Sequence, residues 1–126
     1  MESVAKLSRV AISKILLATD FSAEAQNALT CALALAKRYD SKLFITHAVP
    51  PDAEIQGVEV QVPLHDVMQS NAERNLALLE QTPEVRSLPH EMVVRSGDPW
   101  EVLSEVISDK NIDLVVMLAL RASSKS

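Results

Sequence analysis

Short apolar runs alternate along this chain with longer stretches that have the periodicity of amphipathic helices. The apolar runs are residues 14–19, 42–49, 90–95 and 113–118. The first, second and fourth runs are almost continuously apolar, which is typical of strands that are buried on both faces of a parallel sheet. The third run alternates more regularly between polar and apolar residues, so it is predicted to lie nearer an edge of the sheet.

Three helices are predicted between these strands. The first begins after Ser22, a candidate N-cap, and its apolar stripe consists of Ala25, Ala28, Leu29, Ala32, Leu35, Ala36 and Tyr39. The second is predicted over residues 64–80. The third has the strongest start signal, because Asp98 can cap the helix and Pro99 suits its first position. Asn111 is the predicted left-handed residue that ends it.

The predicted order of elements is β-α-β-loop-α-β-α-β within one domain, residues 1–126. Right-handed crossover connections convert this order into an α/β fold, an open and mostly parallel sheet of four strands with helices on both faces. Residues 50–63 form one long irregular connection, which is expected to act as a lid or as an arm that contacts a partner. A chain of 126 residues is long enough to bury one core of this kind.

The composition argues against several classes of function. The net charge of −5 at pH 7 and the aromatic content of 3% disfavour a general nucleic-acid-binding surface. No apolar run reaches the roughly 18 residues of a membrane span, and the first ten residues lack the apolar core of a secretory signal. Cys31 cannot form an internal disulfide, because the sequence has 1 cysteine, and it is expected to be a buried, inert thiol. These features predict a cytoplasmic protein.

Candidate ligand-binding residues follow from the rule that open parallel sheets bind ligands outside the carboxyl ends of their strands. The rule selects Asp20, residues 47–49, residues 96–98 and residues 118–126. Asp20 can bind a ribose hydroxyl or a metal ion at the end of a central strand. It can equally act with Ser22 as the cap of the first helix, and its position alone leaves both interpretations open.

The sequence contains no arrangement typical of catalysis. There is no P-loop, and Ser22 and Ser96 lack the context of a nucleophile elbow. His65 and His90 have no neighbouring Cys/His cluster, so no zinc site is predicted. His47 is interpreted as a structural histidine bonded to the backbone rather than as a catalytic one. We therefore predict no catalytic residue, no metal site and no enzymatic activity.

Four segments in collinear order resemble a known family. Residues 12–22, with the alanine-rich helix that follows them, resemble the opening of a universal stress protein domain. Residues 45–49 resemble the second strand of that domain, residues 97–99 its Gly-x-Pro turn, and residues 113–117 its fourth strand. None of these motifs is specific alone, but the resemblance extends over roughly residues 11–118.

The resemblance implies a Rossmann-like α/β fold of the adenine nucleotide alpha hydrolase-like type, and a stress-response binding module that is usually a cytoplasmic dimer. It also implies a site for ATP or another adenine nucleotide. In nucleotide-binding members the aspartate after the first strand contacts the ribose, which corresponds to Asp20 with Ser22 beside it. The backbone at the end of the second strand meets the adenine, which corresponds to His47, Ala48 and Val49.

The chain departs from the family at the phosphate loop. Nucleotide-binding members carry glycines after the fourth strand, whose backbone N–H groups cradle the phosphate oxygens. Leu118 and Arg121 stand at the first two glycine positions, and the third falls beyond Ser126. Arg121 and Ser123 are candidate anion contacts through their side chains; the other interpretation is a solvated polar tail. Nucleotide binding is therefore expected to be weak or incomplete.

The chain is also expected to be about one βα unit short of the family domain, whose fifth strand and last helix have no counterpart here. The fourth strand would then have an uncovered edge from Val115 to Leu120, and an apolar edge of this kind associates readily. We predict a homodimer or a strand-exchanged oligomer through this edge. A nucleotide-free dimerising interaction module is the alternative function, and a nucleotide hydrolase is a third.

Overall fold

The computed structural model describes residues 11–50 and 64–117, which form four strands and four helices. In chain order the elements are β1 (Lys14–Ala18), α1 (Ala25–Tyr39), β2 (Lys42–Val49), α2 (Leu64–Glu80), α3 (Pro83–Arg86), β3 (His90–Ser96), α4 (Pro99–Lys110) and β4 (Leu114–Met117). The four predicted strands and three predicted helices are confirmed. The hydrophobic periodicity does not predict the single turn of α3. The long connection predicted at residues 50–63 lies, apart from Pro50, outside the described residues.

The four described strands form one parallel sheet with the order β3-β2-β1-β4. Leu16 of β1 is level with Phe44 of β2 on one side and with Val115 of β4 on the other. The predicted α/β fold is confirmed, and β3 lies at an edge as its alternating pattern predicts. The chain builds the sheet outward from β1 to β3 and then returns to the other side of β1. This reversal creates the switch point at which open α/β sheets bind ligands.

Helices cover both faces of the sheet. Ile15 and Leu17 of β1 pack on one face, against α1 and against Leu76 of α2. Leu16 packs on the other face, against Val102 and its neighbours on α4. All three β1 side chains are fully buried. Burial on both faces explains why this run of the sequence is continuously apolar.

The helix α4 begins and ends as predicted. The Asp98 carboxylate accepts hydrogen bonds from the N–H groups of Trp100 and Glu101, at 3.1 and 3.3 Å, and Pro99 is the first helical residue. Asn111 has a φ of 55° and ends the helix in the left-handed conformation. The start of α4 is therefore fixed at the carboxyl edge of the sheet, directly after β3.

The helix α1 begins three residues later than its predicted cap. The Ser22 hydroxyl accepts a hydrogen bond from the N–H of Ala25 at 3.2 Å, so the predicted contact is present. The α-helix itself begins at Ala25, and Glu24 occupies the N-cap position without a side-chain hydrogen bond. Ser22 therefore closes the turn that leads into the helix.

Two predictions on α1 are wrong. Cys31 is exposed rather than buried, because one residue turns a helix by about 100° and its neighbour Ala32 is the residue that faces the sheet. Tyr39, predicted in the apolar stripe, is 36% exposed at the last helical position, where Asp40 turns the chain into the left-handed conformation. The buried stripe consists of Ala25, Ala28, Leu29, Ala32 and Ala36.

Candidate functional site

A cleft of about 390 Å³ lies at the carboxyl end of the sheet, at the switch point between β1 and β4. Its walls come from the ends of β1, β2 and β4 and from the first turns of α4. The lining residues are Ala18, Thr19, Asp20, Thr46, His47, Ala48, Pro99, Trp100, Val102, Leu103 and Met117. The volume is within the range of small-molecule sites. This is the place at which the carboxyl-end rule predicts a ligand.

The Asp20 side chain is held in a local turn. Its Oδ1 accepts a hydrogen bond from the N–H of Ser22 at 2.9 Å. Hydrogen bonds from the hydroxyl and the N–H of Ser22 lower the pKa of Asp20, and the nearby His47 lowers it further. Asp20 is therefore an ionised acceptor at neutral pH. A carboxylate has about four acceptor positions, so the local bond leaves capacity for a ligand. Asp20 closes the turn before α1 and does not cap the helix, whose N-cap position is Glu24.

The His47 ring is fixed between the ends of β1 and β2. Its Nδ1 lies 2.8 Å from the carbonyl oxygen of Thr19, which can only accept, so Nδ1 carries the proton and donates it. The ring also packs against Phe21, with the ring centroids 4.7 Å apart and the planes tilted by 40°. The predicted backbone-bonded histidine is confirmed, and His47 is one of the residues that line the cleft.

Phe21 adopts a conformation that the sequence does not reveal. Its φ is 64°, in the left-handed region that a bulky side chain rarely adopts, and its N–H donates to Oγ1 of Thr19 at 3.0 Å. The turn separates two neighbouring side chains: Asp20 lines the cleft, while Phe21 packs against the core on the opposite face of the sheet. Glycine or asparagine is the usual signal for such a backbone, and neither is present here.

The other predicted site residues lie in different places. Ala48 lines the cleft with Asp20 and His47. Ser22 lines a second groove of about 290 Å³, which lies between α1 and α2 on the opposite face of the sheet. Val49 is fully buried, and its carbonyl accepts a hydrogen bond from the N–H of Gly97 at 2.9 Å. Val49 therefore holds the turn after β3 and does not line the cleft.

Arg121 and Ser123, the candidate anion contacts, lie outside the described residues, so their role stays a prediction. Among residues 11–50 and 64–117, no group of three or more His, Cys, Asp or Glu side chains is arranged to hold a metal ion. None of the helices in the same ranges is long and apolar enough to cross a membrane.

Sequence reasoning missed the wall that α4 and β4 contribute to the cleft. Trp100 is 66% exposed and Met117 is 38% exposed, and both line it. Trp100 comes directly after Asp98 and Pro99, the predicted start of the helix. The carboxyl-end rule already selects the neighbouring residues 96–98 as a candidate region. The sequence does not show that the Trp100 side chain lines the cleft, because its position depends on how α4 packs against the sheet.

The strand order and the cleft define a doubly wound α/β domain with a cavity at the switch point, where such domains bind their ligands. A model of the universal stress protein family matches residues 11–124, and the chain belongs to that family. A curated relative, the Universal stress protein A homolog of Haemophilus influenzae, is 33% identical over 108 residues, which cover 81% of this chain and 73% of the relative.

Solved structures show the same fold. The universal stress protein UspA of Lactobacillus plantarum has a TM-score of 0.74 at 21% identity, over 93% of this chain and 85% of that chain. A universal stress protein in complex with cAMP has a TM-score of 0.62 at 20% identity, over 85% and 76%. A family protein of Arabidopsis thaliana with AMP bound has a TM-score of 0.53 at 14% identity, over 85% and 76%.

Proposed function

We propose that the cleft binds the adenosine part of an adenine nucleotide and that Asp20 holds the ribose. The main support is that one cleft brings the Asp20 carboxylate together with the end of β2. An ionised carboxylate accepts hydrogen bonds from hydroxyl groups, and a ribose offers two neighbouring hydroxyls. The solved universal stress proteins with cAMP and AMP share this fold, which supports a ligand of the same class.

The apolar part of the cleft is the proposed place for the adenine. Ala48 lies at the end of β2, and Val102 and Leu103 of α4 line the same cavity and are buried. A flat heterocycle placed there leaves water and contacts apolar surface on more than one side. Arg121 and Ser123 remain the proposed phosphate contacts.

We propose a binding role rather than a catalytic one. A general base works best when its pKa lies near the operating pH, and the hydrogen bonds from Ser22 shift the pKa of Asp20 away from that range. His47 Nδ1 is already bonded to the Thr19 carbonyl. The proposed role is a stress-associated binding module of the cytoplasm, a reducing compartment in which the exposed Cys31 stays a free thiol.

Isothermal titration with ATP, AMP and cAMP tests the binding proposal. We expect heat of binding with the wild type and a loss of affinity of about 10- to 150-fold in Asp20→Asn, because hydrogen bonds to a charged group contribute about 1.5–3 kcal/mol. Asp40→Asn is the matched control: it removes the same charge at the left-handed end of α1, which asparagine also tolerates. Absence of heat with all three nucleotides at saturation overturns the proposal.

Strand β4 supports a second candidate function, a dimerising interaction module that needs no nucleotide. In the described part of the chain β4 pairs with β1 alone, and Met117 at its end is 38% exposed. An edge strand offers backbone N–H and C=O groups to a second chain. We therefore propose a homodimer or a strand-exchanged oligomer through the edge that begins at Val115. Light scattering at low concentration tests it: a dimer mass is expected, and a monomer overturns it.

A further inference from the structure

The first turn of α4 places an exposed tryptophan in the wall of the cleft. Trp100 is 66% exposed and lines the same cavity as Asp20 and Met117. Small-molecule sites are lined mainly by apolar and aromatic side chains, so an exposed indole in a cavity wall offers a flat apolar surface to a ligand. The chain contains 1 tryptophan, and it lies at this site.

Local sterics and one hydrogen bond restrict the backbone that presents Trp100. Gly97 has a φ of 147°, and a Cβ at this residue would lie 3.1 Å from Cγ2 of Val102. Pro99 has a restricted φ, and the Asp98 carboxylate accepts from the N–H of Trp100 at 3.1 Å. Pro99 and the Asp98 hydrogen bond limit where the Trp100 Cα can lie. A contact that is held in place before binding costs less entropy when the ligand arrives.

The described lining also has a charge pattern that bears on the ligand. It contains one carboxylate, that of Asp20, and no lysine or arginine. A phosphate near this lining meets a negative charge and no permanent positive one, which is unfavourable at short distance. The uncharged part of a nucleotide, its base and ribose, therefore fits these residues better than its phosphates do.

We propose that Trp100 is the base-stacking wall of the cleft, so that the flat ring and the ribose of a purine nucleoside determine binding. This inference rests on the proposed function and deepens it, because it names the residue and the part of the ligand that supply the affinity. The indole stacks on one face of the base, while Asp20 accepts from the ribose hydroxyls. The proposed phosphate contacts, Arg121 and Ser123, then add less affinity than the base and the ribose do, so adenosine binds within about tenfold of ATP.

Titration calorimetry of the wild type, Trp100→Phe and Trp100→Leu with adenosine and with ATP tests this inference. We expect Trp100→Leu to weaken the binding of both ligands by about 5- to 150-fold, the effect of removing one aromatic–base stack. Trp100→Phe keeps a stacking face and should stay within about threefold of the wild type. Adenosine and ATP should differ by less than about tenfold in the wild type.

Leu78→Ala is the matched control, because Leu78 is 60% exposed and lines the groove on the opposite face of the sheet. It should leave both affinities unchanged, and thermal melting should confirm that every variant is folded. If Trp100→Leu binds adenosine as tightly as the wild type, the proposed stacking role of Trp100 is overturned while the proposed function stands. If ATP binds more than about tenfold tighter than adenosine, the nucleoside assignment is overturned. If the wild type binds neither ligand, the proposed function fails as well.

Discussion

The two turns that border the cleft are built on opposite principles. The turn after β3 follows local rules: Gly97 adopts a positive φ, and Asp98 caps the helix that follows. The turn after β1 breaks them, since Phe21 has a φ of 64° and Glu24 occupies an N-cap position without a side-chain bond. The second turn is the one that presents Asp20. Backbone strain of this kind is concentrated at functional sites in proteins, and here it coincides with the proposed ribose contact.

Gly97→Ala, in the turn after β3, should have the largest effect on stability. The new Cβ would meet Val102 at a φ that L-residues rarely adopt, and strain and overpacking each cost about 1–3 kcal/mol. We expect the free energy of unfolding, measured with urea, to fall by about 3 kcal/mol. Ser96→Ala at the exposed neighbouring residue should change it by less than about 0.5 kcal/mol. A loss below about 1 kcal/mol in Gly97→Ala would show that this turn is adaptable.

Phe21→Ala and Phe21→Gly, compared with each other, measure the backbone strain in the turn after β1. Both variants lose the contact with the His47 ring, but only alanine keeps the cost of a left-handed L-residue, about 1–2 kcal/mol. The glycine variant should therefore be more stable by about 1 kcal/mol in urea denaturation. Thr30 is exposed within α1, and there the order of stability should be reversed: Thr30→Ala should be more stable than Thr30→Gly. The same order at both residues would contradict strain at Phe21.

Asp98→Ala and Glu24→Ala compare the two helix starts directly. Asp98 accepts two backbone hydrogen bonds, and losing such a cap costs about 1 kcal/mol. Glu24 makes no side-chain cap bond, so its replacement should change stability by less than about 0.5 kcal/mol. Urea denaturation of both variants gives the two values. Equal losses would mean that side-chain capping does not distinguish the turns.

The predictable parts of the molecule are those in which local chemistry and tertiary structure agree. The continuous apolar run of β1 is buried on both faces, as its pattern indicates. Asp98 and Asn111 mark the ends of α4 correctly, because caps depend on residues a few places away. Asp20 and His47 are brought together in one cleft because parallel strands end at the same edge of the sheet.

The features that sequence alone does not predict depend on packing between distant elements. Trp100 and Met117 line the cleft because α4 and β4 lie beside β1, and no local pattern encodes their exposure. The backbone of Phe21 follows from its contacts with Thr19 and His47, which override the usual preference for glycine. Val49 bonds to Gly97 across the β3 edge, so its burial follows from the register of two strands.

The smallest expected effect is a pH dependence of the stability that Asp20 contributes to the turn after β1. Hydrogen bonds from Ser22 lower the folded-state pKa of Asp20 below its ordinary value of 3.8. The ionised group therefore contributes stability above the unfolded pKa, and this contribution is lost as pH falls through the folded pKa. The stability difference between wild type and Asp20→Asn should be present at about pH 7 and vanish well below pH 3.8. Exposure keeps it small, and Ser22→Ala in both backgrounds should reduce it further. A difference that stays constant with pH would show that the turn does not depend on the charge of Asp20.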